Sequence, residues 1–197
     1  MRRWGTAAAA LVLAAAGLAT TAGAAAAATG PVGGAGRVGG AGRTGACATA
    51  WGSGDKSATD AYAAPLTNIR TSRNACYDRM VFDIGGASGK AGYHVGYVSA
   101  FHQDGSGERI PVKGGAILQI FVSAPSHDPS SGKQTYAAQA GKPLPGVHLA
   151  GYRTFRDTRF GASFEGQTQV GLGTRAKLPF RVSRSGHELI VDVAHTW

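Results

Sequence analysis

The chain has 197 residues, of which 43% are hydrophobic and 16% are charged, and its formal net charge at pH 7 is +9. Without the positive charges of Arg2 and Arg3, which fall in a predicted export signal, the net charge drops to +7. A basic exported domain favours anionic surfaces such as wall polymers, peptidoglycan carboxylates and acidic lipid headgroups. Nucleic acid is also anionic, but predicted export argues against it as a partner.

Residues 1–28 are predicted to be a secretory signal peptide. Arg2 and Arg3 form its positive n-region, and the apolar h-region that follows, Ala7–Leu18, is too short to remain in a bilayer. Small residues around Ala22–Ala24 supply cleavage points. No later apolar run is long enough for a transmembrane helix, so the mature chain is expected to be secreted, either extracellular or associated with the cell wall.

Residues 29–46 are predicted to form a flexible Gly/Ala-rich linker. Within it the hexapeptide Val32–Arg37 is repeated as Val38–Arg43. Glycine at this density cannot recover the entropy lost on ordering. The remaining residues, 47–197, number about 150, which suits one domain with a single core.

The chain contains two cysteines, Cys47 and Cys76. Export places them in an oxidising compartment, where a disulfide is the expected state. Such a bond would close a loop of about thirty residues and stabilise the fold by about 3–4 kcal/mol in the chain-entropy treatment.

Most of the domain is predicted to be short strands bounded by turns. The predicted strands are Leu66–Arg70, Tyr77–Ile84, Gly92–Val98, Ile110–Val112, Ala116–Val122, Val147–Phe155, Thr168–Leu172, Pro179–Val182 and Glu188–Val193. Ala116–Val122 is the most continuously apolar, which predicts a central strand buried on both faces. Pro125–Lys142 is the longest predicted loop, and one short helical turn is predicted around Lys56–Tyr62. This pattern favours an all-β fold, an antiparallel sandwich or barrel.

Two segments share one pattern. Asp78–Ile84 and Glu188–Val193 each run charged residue, apolar residues, aspartate, apolar residue. In the first, Met80 and Phe82 point to the core under the period of two, and Asp83 points to the other face. The repetition predicts a sandwich with two related halves.

Searches for catalytic patterns predict no enzyme, no cofactor and no metal site. Gly161–Glu165 lacks the last glycine of a nucleophile elbow, and the six histidines have no close ligand spacing. Asp83 and Asp192 resemble a glycosidase pair, but a repeated aspartate on a strand is more often a structural group. An unrecognised wall hydrolase remains an alternative.

A basic stretch with interleaved aromatic residues points to glycan binding. Flat rings stack on sugars, and guanidiniums pair with carboxylates. The candidate ligand-binding residues are Tyr152, Arg153, Phe155, Arg156, Arg159 and, isolated among basic residues, Glu165. The competing interpretation places the aromatic residues, including Phe160, in the core. It also pairs Glu165 with Arg153 or Arg156.

The order of motifs resembles the AMIN domain and its AMIN-like relatives in secreted bacterial proteins. The similarity rests on Asp78–Ile84, Gly92–Val95 and Leu189–Val193, supported by short motifs elsewhere in residues 47–197. It implies a β-sandwich of two related sheets, each with an arginine–hydrophobic–aspartate strand. Arg79 matches the first arginine, and Asp83 and Asp192 match the acids, whereas Glu188 stands where the second strand should carry arginine.

The resemblance also implies a role. AMIN domains direct cell-wall amidases and secretion-pore components to the envelope and bind peptidoglycan. No amidase sequence accompanies this domain, so we expect a non-catalytic module that binds peptidoglycan or another anionic wall polymer. A module that binds an envelope protein through an exposed sheet edge is the main alternative.

Overall fold

Two antiparallel sheets make up the fold in the computed structural model, which describes residues 47, 49–60, 64–86 and 91–197. The nine strands found there are β1 (Lys56–Ala58), β2 (Leu66–Arg73), β3 (Tyr77–Ile84), β4 (Tyr93–Val98), β5 (Ala116–Val122), β6 (Phe155–Phe164), β7 (Gln167–Thr174), β8 (Phe180–Ser185) and β9 (Glu188–Ala194). One sheet has the order β1-β4-β5-β7-β6 and the other β2-β3-β9-β8. The predicted all-β sandwich is confirmed. The predicted signal peptide and linker lie outside the described residues.

The core lies between the two sheets. Met80, Phe82 and Ile84 of β3 are buried, as their alternation predicts, and Leu189 and Val191 of β9 extend the same inner face. The five-stranded sheet contributes an equivalent row from β5 and β7, namely Leu118, Ile120, Val122, Val170 and Leu172. Period-two alternation of apolar residues therefore explains why these strands fold face to face.

The two strands with the shared pattern are neighbours in one sheet. β3 pairs directly with β9, so that Arg79 lies opposite Asp192 and Asp83 lies opposite Glu188. The expectation of two related sheets that each carry one such strand is therefore wrong. The alternation of a strand determines which face is buried, but it does not specify the strand with which it pairs.

Three local predictions also differ from the structure. No helix occurs in the described residues, and β1 occupies the start of the predicted helical turn at Lys56–Tyr62. Ile110–Val112 is not a strand, and the segment Val147–Phe155 is irregular, with a turn and a bend, until β6 begins at its last residue. These segments are short, so local alternation is a weak signal in them.

The outer face of the five-stranded sheet is covered by the segment 99–115. Phe101 of this segment is fully buried, and a Cβ at Gly171 would lie 2.9 Å from its Cδ1 atom. Gln169 donates to the carbonyl of His102 and accepts the backbone N–H of Asp104. β5 is central, as predicted, but only one of its faces is fully buried, because its outer residues alternate with the core row and are partly exposed.

The predicted long loop 125–142 contains a tight turn at Asp128. The Asp128 carboxylate accepts hydrogen bonds from the hydroxyl and backbone N–H groups of Ser130 and Ser131. These bonds, with that from the Ser130 hydroxyl first, lower the pKa of Asp128 from 3.8 to about 2.

The Asp128 turn gives a pH prediction. Because the pKa is lower in the folded chain, the turn stabilises the fold above pH about 4, and this contribution disappears as the pH falls through about 2. A carboxyl ¹³C titration by NMR should show a midpoint near 2, and Ser130→Ala should move the midpoint up towards 3.8. A wild-type midpoint that stays near 3.8 would contradict the geometry.

Candidate functional site: the outer face of the four-stranded sheet

A buried carboxylate anchors two arginines on the outer face of the four-stranded sheet. Asp192 of β9 is completely inaccessible and accepts hydrogen bonds from Arg79 of β3 at 2.7 and 2.9 Å and from Arg181 of β8 at 2.8 Å. The register requires this meeting, because Arg79 and Arg181 are the direct partners of Asp192 on either side. The hydrogen bond with Asp192 raises the pKa of Arg79.

Two aromatic rings complete this arrangement. The Arg181 guanidinium lies 4.5 Å from the ring centroid of Trp51 and 5.5 Å from that of Tyr77. Arg79 lies 5.3 Å from the Tyr77 centroid, and the two rings meet edge to face at 5.6 Å. We refer to Trp51, Tyr77, Arg79, Arg181 and Asp192 as the Arg–aromatic cluster.

The Arg–aromatic cluster has one net positive charge, since two guanidiniums share one carboxylate. Arg79 uses two nitrogens on Asp192, whereas Arg181 donates from Nε alone and keeps 42% of its side chain exposed. The outer fork of Arg181 therefore faces solvent beside an aromatic wall. Such an arrangement suits a ligand that combines a flat ring face with an anionic group.

A second ion group lies further along the same face. Arg70 of β2 donates to Asp83 of β3 at 3.0 Å and also to Glu188 of β9. The hydrogen bond with Asp83 raises the pKa of Arg70. The three side chains are partly exposed, so this group is a surface ion pair network of modest energy. The family-motif residue Asp83 thus lies on the same face as Arg79 and Asp192.

The predicted ligand-binding stretch is divided between the interior and the surface. Phe155 is buried, and Tyr152 stacks on it at 5.7 Å with nearly parallel rings while its hydroxyl donates to Thr71. Arg156 donates to the carbonyls of Tyr152, Arg153 and Phe155 and so folds back on its own segment. The aromatic faces of this stretch are used within the protein, as the competing interpretation expects.

The remaining predicted site residues lie apart from one another. Arg153 is exposed and donates to the carbonyl of Ala75, while Arg159 pairs with Asp157. Glu165 lies in the tight turn between β6 and β7 with a φ of 47°. The ten residues of β6 separate it from Arg153, so the two are about 30 Å apart and do not form the predicted ion pair.

The structure reveals a buried acid that the sequence pattern did not single out. Asp78, at the inner face of β3, is fully inaccessible and accepts the backbone N–H groups of Thr154 and Phe155 at 2.6 and 3.1 Å. His195 approaches it through Nε2 at 3.1 Å, and the other ring nitrogen lies 3.2 Å from the carbonyl oxygen of Ala75. Alternate residues of a strand share a face, so Asp78 lies with Met80 on the core side. This spacing is the feature of the sequence from which the buried acid could have been predicted.

The predicted disulfide is confirmed. Cys47 and Cys76 are bonded, and the bond lies directly before Tyr77. It therefore brings the segment that carries Trp51 to the beginning of β3. Within the described part of the chain, no group of three or more His, Cys, Asp or Glu side chains is arranged to hold a metal ion.

The sequence of this chain was compared with models of known protein families. Residues 64–195 match the AMIN-like domain. The chain belongs to the AMIN-like family. No curated protein and no solved structure matches it. AMIN-like domains are associated with the cell envelope, and the disulfide fits that setting.

The matched AMIN-like region does not include every residue of the cluster. Tyr77, Arg79, Arg181 and Asp192 lie inside it, whereas Trp51 and Cys47 precede it. In the residues that the structure describes for this AMIN-like protein, no helix is long and apolar enough to span a bilayer.

Proposed function

We propose that this AMIN-like protein is a secreted, non-catalytic module of the cell envelope that binds an anionic wall glycan, with peptidoglycan as the leading ligand. The observation that carries the proposal is the Arg–aromatic cluster. It presents a cation and two rings on an accessible sheet face, at the strands that bear the family motif. Envelope association of AMIN-like domains supports the same ligand class.

The chemistry of the cluster suits a sugar that carries a carboxylate. The free fork of Arg181 offers parallel N–H donors to a carboxylate, and the adjacent rings offer an apolar face for the C–H surface of a pyranose. Asp192 holds both guanidiniums in place before any ligand arrives. Binding therefore costs little side-chain ordering.

The arrangement of the acids supports a non-catalytic role. Asp83 and Asp192 are on adjacent strands, but the residue opposite Asp192 is four positions from Asp83. Four residues of a strand span about 13 Å, which exceeds the carboxyl separation of about 5–9.5 Å in glycosidases. Asp192 is also inaccessible beneath two arginines, so it cannot approach a glycosidic oxygen.

Retention on purified sacculi across a salt series tests the proposal. At about 100 mM salt, we expect Arg181→Gln to reduce retention about fivefold or more, because it removes the exposed guanidinium and its ring contacts. Trp51→Ala should act in the same direction. The wild-type protein should elute as salt rises, since exposed charge pairs are screened.

Arg184→Gln is the matched control. Arg184 lies on the same strand and makes the same change of charge, but it pairs with Asp60 and lies over Tyr93. It should leave retention within about twofold. Equal losses of retention in Arg181→Gln and Arg184→Gln would show that the Arg–aromatic cluster is not the binding site. Failure of the wild-type protein to bind sacculi, with recovery of a stoichiometric envelope protein, would favour the protein-interaction alternative.

A further inference from the structure

A cleft of about 410 Å³ lies between the last residues of β4, the first residues of β5 and the loop before β8. Its lining includes Tyr97, Ser99, Gly114, Gly115, Ile117 and Lys177. None of these residues belongs to the Arg–aromatic cluster. The volume is in the range of small-ligand sites in proteins.

Two glycines of the cleft lining, Gly114 and Gly115, pack closely on the backbone at the end of β7. A Cβ at Gly115 would lie 2.2 Å from the carbonyl oxygen of Arg175, and one at Gly114 would lie 2.6 Å from that of Thr174. Gly114 also has a φ of 143°, a conformation that L side chains rarely adopt. The close packing on the end of β7 therefore requires glycine at two positions of the cleft lining.

The wall of the cleft is held rigidly by Tyr97. Its hydroxyl donates to the carbonyl of Leu178 and accepts the Leu178 N–H, both at 3.0 Å. The ring also packs edge to face on buried Phe180 at 5.7 Å. Burial raises the pKa of Tyr97, so the hydroxyl is neutral over the ordinary pH range. These contacts fix both the ring and the loop that carries Lys177.

Lys177 contributes a cation to the lining of the cleft, and Trp197, which is not part of that lining, is bonded to the Lys177 backbone. The Lys177 ammonium lies 5.9 Å from the Tyr97 ring centroid, and it takes part in no ion pair with any described residue. The Trp197 indole N–H donates to the carbonyl of Lys177 at 3.2 Å, while 68% of the residue remains exposed. An exposed indole ring whose N–H is bonded to the backbone of a cleft-lining lysine is suited to stacking on a sugar ring.

We infer that this cleft is a second subsite for an acidic sugar. The pyranose ring stacks on the Trp197 indole, its carboxylate pairs with Lys177, and a substituent of the sugar enters the cleft over Gly114–Gly115. The ligand class rests on the proposed function, but the residues are separate from the Arg–aromatic cluster. Trp197 lies after the matched AMIN-like region.

Indole N–H signals in ¹H–¹⁵N spectra of the full chain separate the two sites. The chain has three tryptophans, and Trp51 reports on the cluster while Trp197 reports on the cleft. Each signal is assigned with a Trp→Phe variant. The probes are the N-acetylglucosamine–N-acetylmuramic acid disaccharide, which carries a carboxylate, and chitobiose, which does not.

Titration with the acidic disaccharide should shift the Trp197 signal, and chitobiose should bind about tenfold more weakly at this position. Lys177→Met should remove that preference. Trp197→Ala should remove the shifts that the acidic disaccharide causes in the backbone amide signals of the cleft lining. Arg181→Gln is the control and should leave the Trp197 titration unchanged.

A Trp197 signal that does not move would overturn the subsite, and a shift of Trp51 alone would do so while leaving the proposed function in place. Equal affinity for both disaccharides would overturn the Lys177 pairing. If the wild-type protein is not retained on sacculi but the Trp197 signal still shifts on titration, the subsite at the cleft is supported and the proposed role of the Arg–aromatic cluster is contradicted.

Discussion

Asp78→Ala is expected to lower the free energy of unfolding by about 3–5 kcal/mol. The substitution removes the acceptor of two buried backbone N–H groups, from Thr154 and Phe155, and leaves His195 facing an empty space. These groups have no access to water that could replace the carboxylate, because Asp78 is completely inaccessible. The contact also joins β3 to the start of β6, so its loss affects both sheets.

Urea denaturation measures this effect, and Asp83→Ala is the matched control. Asp83 is on the same strand and makes the same change of side chain, but it lies on the outer face in a surface ion pair. We expect it to cost less than about 1 kcal/mol. Similar small losses for both variants would show that the Asp78 network contributes little net stability.

Removal of the disulfide is expected to cost about 3–4 kcal/mol in the chain-entropy treatment. Cys47 and Cys76 are 29 positions apart, and the paired Cys47→Ser and Cys76→Ser variant frees the whole intervening loop in the unfolded chain. The bond also holds the segment of Trp51 next to Tyr77. The variant should therefore lose near-ultraviolet circular dichroism from that ring pair even where it stays folded.

Thermal or urea unfolding of the wild-type protein with and without a reducing agent provides the comparison. The serine variant should show the same midpoint under both conditions, and it should match the reduced wild-type protein. If reduction changes the free energy of unfolding by less than about 1 kcal/mol, residual structure already restricts this loop in the unfolded chain, and the entropic argument fails.

The sandwich could be predicted from the sequence because one strong local signal governs it. Met80, Phe82 and Ile84 alternate with Arg79, Val81 and Asp83, two of which are charged, and export makes a disulfide between the two cysteines the expected state. The partner of β3 could not be predicted, since β9 lies more than a hundred residues later and many strands satisfy the same alternation. The family resemblance was confirmed over residues 64–195.

The predicted binding stretch shows why surface sites are harder to predict. Phe155 and Phe160 are five residues apart, which in a regular strand places them on opposite faces. β6 has irregular pairing between Phe155 and Asp157, and both rings enter the core. The Arg–aromatic cluster, by contrast, joins residues from 51 to 192. The register of three strands brings its arginines to Asp192, and the disulfide brings the segment of Trp51 to β3.

The three-residue strand β1 has a consequence for the boundaries of the folding unit. It precedes the matched AMIN-like region, yet it pairs with β4 in register from Lys56 opposite Val95 to Ala58 opposite Tyr93. A chain trimmed to residues 64–195 would leave the hydrogen-bonding groups of β4 open along one side. Bare edges of this kind recruit strands from other molecules. By pairing with β4, β1 is therefore expected to reduce the self-association of this domain.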